Sequence, residues 1–235
     1  LVGRPDDDLE ALQVALAATP LAAPAHVEGG DREVLDRRGA GVAGALGALV
    51  AGGESVLVVS ASEQRRRAQL SGRIGGFALT SWALLAADPS ILDGYTHVVA
   101  LDPPASAAAE NLLTVGPLGS FAHQLWGPAE LRFTLDEIER NADLRGSLAS
   151  VYRALRGGPD LPLLEQLRSG DELRTPLQMA IIVRVLEELD LARLDGAALG
   201  LLVEPEERLD LVVSPAFAAN ARATEEASAW LSPIA

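Results

Sequence analysis

The chain has 235 residues, with 33 acidic residues against 19 basic ones and a net charge of −14. It contains neither cysteine nor lysine, which excludes disulfides, thiolate metal sites, a P-loop lysine and a Schiff-base lysine. The negative charge disfavours autonomous nucleic-acid binding, because basic residues must neutralise the phosphates. No apolar run approaches the ~20 residues of a membrane helix. Three aspartates near the start do not fit a signal peptide, so a cytoplasmic location is predicted.

The N-terminal part predicts two helices separated by a connector and a short strand. Leu1–Thr19 predicts a helix, because Pro5 suits a first helical position and leucines recur at helical spacing. Pro20–Gly30 is a connector rich in Pro, Ala and Gly, and Asp31–Gly39 predicts a short strand closed by a basic turn. A helix of small residues is expected over Gly39–Gly52.

Two apolar runs without polar alternation, Ser55–Ser62 and Thr96–Pro104, predict strands that are buried on both faces. A third strand is predicted over Gly75–Thr80, and further helices near Ala105–Leu113 and Leu118–Trp126. Strands and helices alternate with short loops, which favours a parallel sheet with right-handed crossovers. The predicted fold class is α/β, a three-layer Rossmann- or RecA-like sheet that lacks a P-loop.

From Gly127 onward the pattern becomes mainly helical. Thr134 and Glu137 have the spacing of a capping box, a leucine stripe runs over Leu144–Leu155, and Thr175–Leu189 combines an N-cap with an apolar face. Three short strands and a last helix to the C-terminal region follow: Leu191–Leu194, Leu199–Val203, Leu209–Ser214 and Ser214–Trp230. The second and third of these strands, joined by a charged loop, predict a β-hairpin. Helices followed by a hairpin predict a smaller winged-helix-like α+β unit.

These patterns divide the chain into three parts. Residues 1–30 form an N-terminal helix and connector, residues 31–127 a degenerate nucleotide-fold domain, and residues 128–235 the winged-helix-like domain. A DNA-reading winged helix would carry basic residues on its recognition helix, yet Thr175–Leu189 offers only Arg184 beside two glutamates. We therefore expect this domain to pack against protein and not against DNA.

Asp102 follows the strand Thr96–Pro104, where many nucleotide-binding proteins hold a metal ion or a catalytic water. A Walker B aspartate works beside a Gly-rich loop and its lysine, and no such loop occurs in this chain. We therefore interpret Asp102 as a structural residue at the end of a strand.

Serine and histidine side chains supply no recognisable catalytic motif. Ser60 and Ser62 lie at a strand–helix turn but lack the surrounding glycines of a nucleophile elbow. His26, His97 and His123 lie far apart in the sequence and form no metal-binding spacing, and His123 falls within a predicted helix. No catalytic residue, metal ligand or cofactor is assigned to the chain itself.

Arginines form the densest basic feature. Arg65, Arg66 and Arg67 are consecutive, Arg73 is nearby, and the pair Arg37 and Arg38 would extend the patch if neighbouring strands bring them together. The simplest interpretation is a solvated helix face. The functional hypothesis is a receptor for an acidic peptide, because guanidinium groups pair well with carboxylates. These six arginines are the predicted partner-binding residues.

Several segments, taken in order, resemble the C-terminal accessory region of bacterial RecJ exonucleases. The matching stretches begin near Asp31 and run to the C-terminal region: DREVLDRRG, VLVVSAS, HVVALDPP, VYRALR, MAIIVRVLEELDLARLDG and LDLVVS. The family's catalytic core uses Asp and His clusters, with a DHH signature, to hold two metal ions. This chain has no such clusters, so the resemblance implies an accessory domain, with Mn or Mg bound in a core elsewhere.

The resemblance implies a protein-interaction module of a 5′→3′ single-stranded-DNA exonuclease in DNA repair and recombination. Its implied partners are single-stranded-DNA-binding protein, through an acidic and apolar tail, or a HerA-type helicase. Two alternatives remain open from the residues: a degenerate RecA-like helicase or ATPase lobe joined to a winged helix, and a small-molecule enzyme on a doubly wound sheet.

Overall fold

The computed structural model describes most of the chain, in seven segments: 5–17, 29–70, 75–157, 161–171, 173–195, 198–203 and 209–234. The chain divides into two compact units. The first comprises Leu1–Val2, Ala23–Ile138 and Glu226–Ala235, and the second comprises Gly3–Ala22 and Glu139–Glu225.

The first unit is built on a sheet of five short strands, which are β1 (Glu33–Asp36), β2 (Val56–Ser60), β3 (Ala78–Ser81), β4 (His97–Ala100) and β5 (Phe121–Gln124). Helices connect consecutive strands, namely α2 (Val42–Ala51), α3 (Glu63–Leu70), α4 (Trp82–Ala87) and α5 (Ala107–Asn111). Short 3-10 turns follow α4 and α5, at Pro89–Gly94 and Leu112–Thr114. The α/β class predicted from the alternating pattern is confirmed.

All five strands are parallel, in the order β1-β5-β4-β2-β3. From β1 to β2 and from β2 to β3 the chain moves toward one edge of the sheet; from β3 to β4 and from β4 to β5 it moves toward the other. Right-handed crossovers in opposite directions carry their helices onto opposite faces, which gives three layers. The arrangement is compatible with a Rossmann-like fold.

Alternate residues of the strands fill two separate cores. One face carries Leu57, Val59, Val98 and Ala100, packed with Trp82 and other apolar residues around α4, α5 and the 3-10 turns. The opposite face carries a second apolar set, packed with residues of α2 and α3: Val56, Val58, Val99, Leu101 and Leu125. Every residue of β2 is buried, as the lack of polar alternation in its sequence predicted.

The segment predicted as a helix near Leu118–Trp126 is wrong in type, because Phe121–Gln124 forms β5 in the middle of the sheet. The segment is too short for helical periodicity to be distinguished from strand alternation. Its neighbours decide the structure, since β1 and β4 both hydrogen-bond to it. His123 therefore lies on a central strand and not in a helix.

Helix α6 (Pro128–Ala142) begins at Pro128, well before the predicted capping box at Thr134. The Gly127 N–H donates to Glu130 Oε2 at 2.8 Å, so Glu130 caps the start of the helix. The Thr134 hydroxyl donates to the Glu130 carbonyl at 3.2 Å, inside the helix. The Ser60 hydroxyl, before α3, donates to the Thr80 carbonyl.

The second unit is mainly helical. Its helices are α1 (Pro5–Ala17), α7 (Leu144–Gly157), α8 (Leu163–Leu167), α9 (Pro176–Glu188) and the N-terminal part of α10 (Pro215–Leu231). Its core surrounds α9, in which Met179, Ile182, Val183 and Val185 are fully buried. Thr175 caps α9 by accepting from the Gln178 N–H at 3.1 Å, as its sequence predicted.

A β-hairpin lies in the described part of this unit, earlier in the chain than predicted. Strand β6 (Ala192–Asp195) pairs antiparallel with β7 (Ala198–Leu201). The predicted third strand contains a 3-10 turn at Leu211–Val213, and the charged loop 204–208 lies outside the described residues. Within the described segments, no helix combines the length and the apolar character needed to cross a membrane.

Candidate functional site at the switch point of the sheet

The crevice between the carboxyl ends of β2 and β4 is the expected ligand position in this sheet. Connections leave β2 and β4 in opposite directions, so a topological switch point lies between these adjacent strands. Open α/β sheets bind ligands outside the strand ends at such a point. In this chain β2 leads to Ser60, Ala61 and Ser62, and β4 leads to Leu101 and Asp102.

The Asp102 carboxylate fills this crevice. It is fully buried and accepts from the Ala61 N–H at 2.9 Å and from Arg66 Nε at 3.1 Å. Arg66 Nη2 donates to the other carboxylate oxygen, which makes the pair bidentate. The backbone carbonyl of Asp102 accepts from Trp82 Nε1 at 3.1 Å. Asp102 therefore joins β4 to the start of α3 on one side and to α4 on the other.

A second ion pair lies beside the first and joins α3 to α6. Arg65 pairs with Glu137, whose side chain is 2% exposed. Phe133 of α6 contacts both arginines, with the Arg66 guanidinium carbon 3.7 Å and the Arg65 guanidinium carbon 4.9 Å from its ring centroid. Cation–π contacts of this kind are strengthened where water is excluded.

The electrostatics of the crevice are those of an internal ion pair. Burial raises the pKa of Asp102, while the hydrogen bonds from Arg66 and Ala61 oppose that rise. Among the described residues no three His, Asp or Glu side chains converge as metal ligands. A carboxylate whose two oxygens already accept three hydrogen bonds has little capacity left for a metal ion or for proton transfer.

The two serines of the turn have different environments. Ser60 is buried and donates to the Thr80 carbonyl at 3.1 Å, so its hydroxyl bridges β2 and β3. The Ser62 hydroxyl is buried and has no hydrogen-bond partner among the described residues. Among the described residues neither serine hydroxyl hydrogen-bonds to a histidine, so the side chains do not form a base-activated nucleophile.

The predicted arginine patch is largely taken up by internal ion pairs. Arg65 and Arg66 hold Glu137 and Asp102, and Arg67 pairs with Glu63 one turn earlier in α3. Arg73 lies outside the described residues. The side chains of Arg65–Arg67 are half-buried, so the patch does not present three fully exposed guanidinium groups to solvent.

Arg37 and Arg38 lie at the carboxyl end of β1, and two strands, β5 and β4, separate β1 from β2. The Arg37 N–H donates to the Gln124 carbonyl at 3.0 Å. Arg38 makes a bidentate pair with Asp36, which lowers the pKa of Asp36 to about 2. Its guanidinium carbon lies 5.7 Å from the Trp126 ring centroid. The sheet order thus keeps this pair apart from the α3 arginines.

His97 and His123, distant in sequence, meet on the sheet. His97 Nδ1 lies 2.8 Å from His123 Nε2, and the rings are stacked with centroids 5.1 Å apart. The sequence did not reveal this contact, because it depends on β5 being a strand next to β4. The segment Phe121–Gln124 has two apolar residues followed by two polar ones, so it does not show the alternation of a strand.

The surroundings of the histidine pair favour one arrangement of protons. His97 Nε2 faces Glu54 Oε2 at 3.6 Å, which suits a proton on that nitrogen. His123 Nε2 then donates to His97 Nδ1, and the buried His123 Nδ1, which has no described partner, is left as an unprotonated acceptor. Burial, assisted by the charge of Arg37 and by His97, lowers the pKa of His123 to about 4.

We expect His123→Gln to flatten the acid side of the stability curve. In the wild type the pKa of His123 falls from 6.5 in the unfolded chain to about 4 in the folded chain. The unfolded chain thus binds the extra proton between these values, and stability is lost as pH falls from 6.5 to 4. The loss from this residue is on the order of 3 kcal/mol. Urea denaturation at several pH values measures it, and curves of equal slope for both proteins would contradict the assignment.

A cavity near the carboxyl end of the sheet was not predicted from the sequence. It has a volume of about 700 Å³ and includes Arg38, Trp126, Leu131, Arg132 and Ile234 in its lining. Of these only Arg38 had been proposed to bind a partner. The others carry no motif, because they come from different elements that meet only in the folded unit.

Comparisons with known proteins identify no relative: no protein-family model, curated protein or solved structure matches this chain.

Proposed function

We propose that this chain is a non-catalytic docking module of a RecJ-type 5′→3′ single-stranded-DNA exonuclease that acts in DNA repair and recombination. The observation that supports this role most is the occupied switch-point crevice. Asp102 takes both the Ala61 N–H and the Arg66 guanidinium, which are the groups that would otherwise receive a phosphate or another anion. The nucleotide-like sheet then serves as a scaffold without a nucleotide, consistent with the missing P-loop sequence.

The second unit fits the same role as a winged-helix-like module. Helix α9 uses most of its surface for the core of this unit, and its one arginine, Arg184, lies 3.8 Å from Glu187. From Gly127 onward the sequence carries 19 acidic residues against 11 arginines. Such a balance repels a phosphate backbone and favours contact with protein.

In this role the partners are single-stranded-DNA-binding protein or a HerA-type helicase, in the cytoplasm. DNA is engaged indirectly, through the exonuclease core. The Mn or Mg ions of the reaction belong to that core and not to this chain. Tail recognition would use guanidinium–carboxylate pairs together with apolar contacts.

Isothermal titration calorimetry of this chain with single-stranded-DNA-binding protein tests the proposal. We expect saturable binding that is lost when the acidic tail of the partner is deleted, and no cleavage of 5′-single-stranded DNA in the presence of Mn²⁺. Absence of binding to both that protein and a HerA-type helicase would contradict the docking role.

Variants of the α3 arginines are poor reporters of docking. Glutamate at position 65 or 66 would face the buried carboxylate of Glu137 or Asp102, so a loss of binding would reflect unfolding.

Titration with ATP separates the docking role from the two alternative functions. Saturable ATP binding by the wild-type chain would favour a degenerate helicase lobe or a small-molecule enzyme over a docking module.

A further inference from the structure

The cavity of about 700 Å³ in the first unit has the size of a ligand pocket. We call it the Trp126 pocket. Its lining is mostly apolar, with two arginines: Arg38, Trp126, Gly127, Pro128, Leu131, Arg132, Leu135 and Ile234.

Helix α6 forms one wall of the Trp126 pocket. Pro128, Leu131, Arg132 and Leu135 are spaced by three and four residues, so they share one face of the helix. Phe133 and Glu137 lie on another face, where they contact the arginines of α3. The ion pairs of α3 therefore hold the helix while the face toward the pocket carries no part of that network.

The other walls differ in how firmly they are held. Trp126 is only 6% exposed and belongs to the core of the sheet, so this wall exists without a ligand. Ile234 is 45% exposed, and its side chain leaves an apolar surface at the mouth of the pocket. An exposed isoleucine beside a buried tryptophan suits a bulky apolar group inserted between them.

The charge of the pocket is positive in a strongly acidic chain. Among the described residues that line it, only Arg38 and Arg132 are charged. Arg38 is paired with Asp36, whereas Arg132 is exposed and makes no ion pair within the described part of the chain. An anionic group next to the apolar mouth would gain a charge-assisted hydrogen bond from Arg132.

We propose that the Trp126 pocket receives a bulky apolar side chain of an acidic peptide, whose carboxylate pairs with Arg132. Both arginines lie at the surface, so the charged part of the ligand stays near solvent and only its apolar group is buried. That division matches a peptide anchor and not a wholly enclosed metabolite. The inference rests on the proposed docking function and gives it a specific surface, different from the α3 arginines.

Fluorescence polarisation with three labelled probe peptides tests the pocket: Asp-Asp-Asp-Leu-Phe, Asp-Asp-Asp-Leu-Ala and Lys-Lys-Lys-Leu-Phe. We expect the first to bind at least tenfold more tightly than either of the others, and its affinity to fall as salt is raised. Arg132→Glu and Leu135→Asp should each weaken the first peptide at least tenfold. Arg222→Glu, an exposed arginine of the second unit, is the matched control and should change the affinity less than twofold.

Equal affinities for all three peptides, or unchanged binding to Arg132→Glu and Arg132→Gln, would overturn the pocket assignment. Full-length single-stranded-DNA-binding protein separates this failure from that of the proposed function. If it binds Arg132→Glu as tightly as the wild type, the docking role stands and the pocket is wrong. If neither this protein nor a HerA-type helicase binds the wild type, the docking role fails as well.

Discussion

Asp102→Ala is expected to lower the free energy of unfolding by about 3–5 kcal/mol, the range for breaking a buried ion pair by removing one partner. The substitution leaves Arg66, 12% exposed at its side chain, without its carboxylate and leaves the Ala61 N–H without an acceptor. Asp102→Asn keeps the shape of the side chain but places an amide NH2 group against the donors of Ala61 and Arg66. It should therefore lower the free energy of unfolding nearly as much as Asp102→Ala does. Urea denaturation of each variant measures the change.

The chain supplies a matched control for this experiment. Asp36 also pairs with an arginine in a bidentate manner, but its side chain is 55% exposed. Asp36→Ala should therefore destabilise the protein far less than Asp102→Ala, because exposed ion pairs contribute little to stability. If both alanine variants lose the same small amount, the Asp102 pair is not holding the crevice closed. A double-mutant cycle with Arg66→Ala then reports the coupling itself.

Arg32→Ala should destabilise the first unit by about 3 kcal/mol or more, because several buried carbonyls would lose their donor. Arg32 is 3% exposed and lies just before β1. Its Nε donates to the Val115 carbonyl at 2.8 Å, and its other nitrogens reach the carbonyls of Leu92, Tyr95, Thr96 and Phe121 at 3.2–3.4 Å. One guanidinium thus ties the start of the sheet to the loops before β4 and β5.

Lysine cannot replace this arginine, since an ammonium group lacks the planar fork that reaches separate carbonyls. We expect Arg32→Lys to recover less than half of the stability lost in Arg32→Ala. Arg222→Ala, at an exposed position, is the control and should stay within about 0.5 kcal/mol of the wild type. Thermal and urea unfolding both report the difference, and full recovery by lysine would contradict the role of the fork.

Gly116 supports the same site from the opposite side. Its φ is +150°, a value that L-residues rarely adopt, and a Cβ there would lie 2.5–2.8 Å from the Arg32 guanidinium. The backbone of this turn is therefore shaped to let the guanidinium approach. No sequence motif marks Arg32 or Gly116, although both lie at the amino-terminal ends of the strands and help to hold the loops there.

Local sequence was a reliable guide where a pattern repeats along one element. The unbroken apolar run of β2 predicted burial on both faces, and Thr175 with Gln178 predicted the start of α9. It was unreliable for short segments. Phe121–Gln124 was assigned to a helix because four residues hold too little periodicity, and the hairpin was placed one strand too late.

The arginines of α3 are adjacent in sequence, but in the folded chain they make contacts that this adjacency does not predict. Three consecutive cations predicted a receptor for an acidic peptide. In the structure two of them meet carboxylates 36 and 72 residues away, at Asp102 and Glu137. Sequence spacing carries no information about such pairs, because the strand order β1-β5-β4-β2-β3 decides which loops become neighbours.

The sequence by itself determined the α/β class, the two central strands and the absence of cysteine and lysine chemistry. These properties follow from composition and from apolar periodicity, which are local and do not depend on the order of the strands. Tertiary structure alone decided that the Asp102 carboxylate would bind the Ala61 N–H and the Arg66 guanidinium. It also decided that His97 would contact His123. The same holds for the pocket that Trp126, Arg132 and Ile234 help to form. Each of these depends on side chains brought together across strands and helices, where burial and charge pairing set the chemistry.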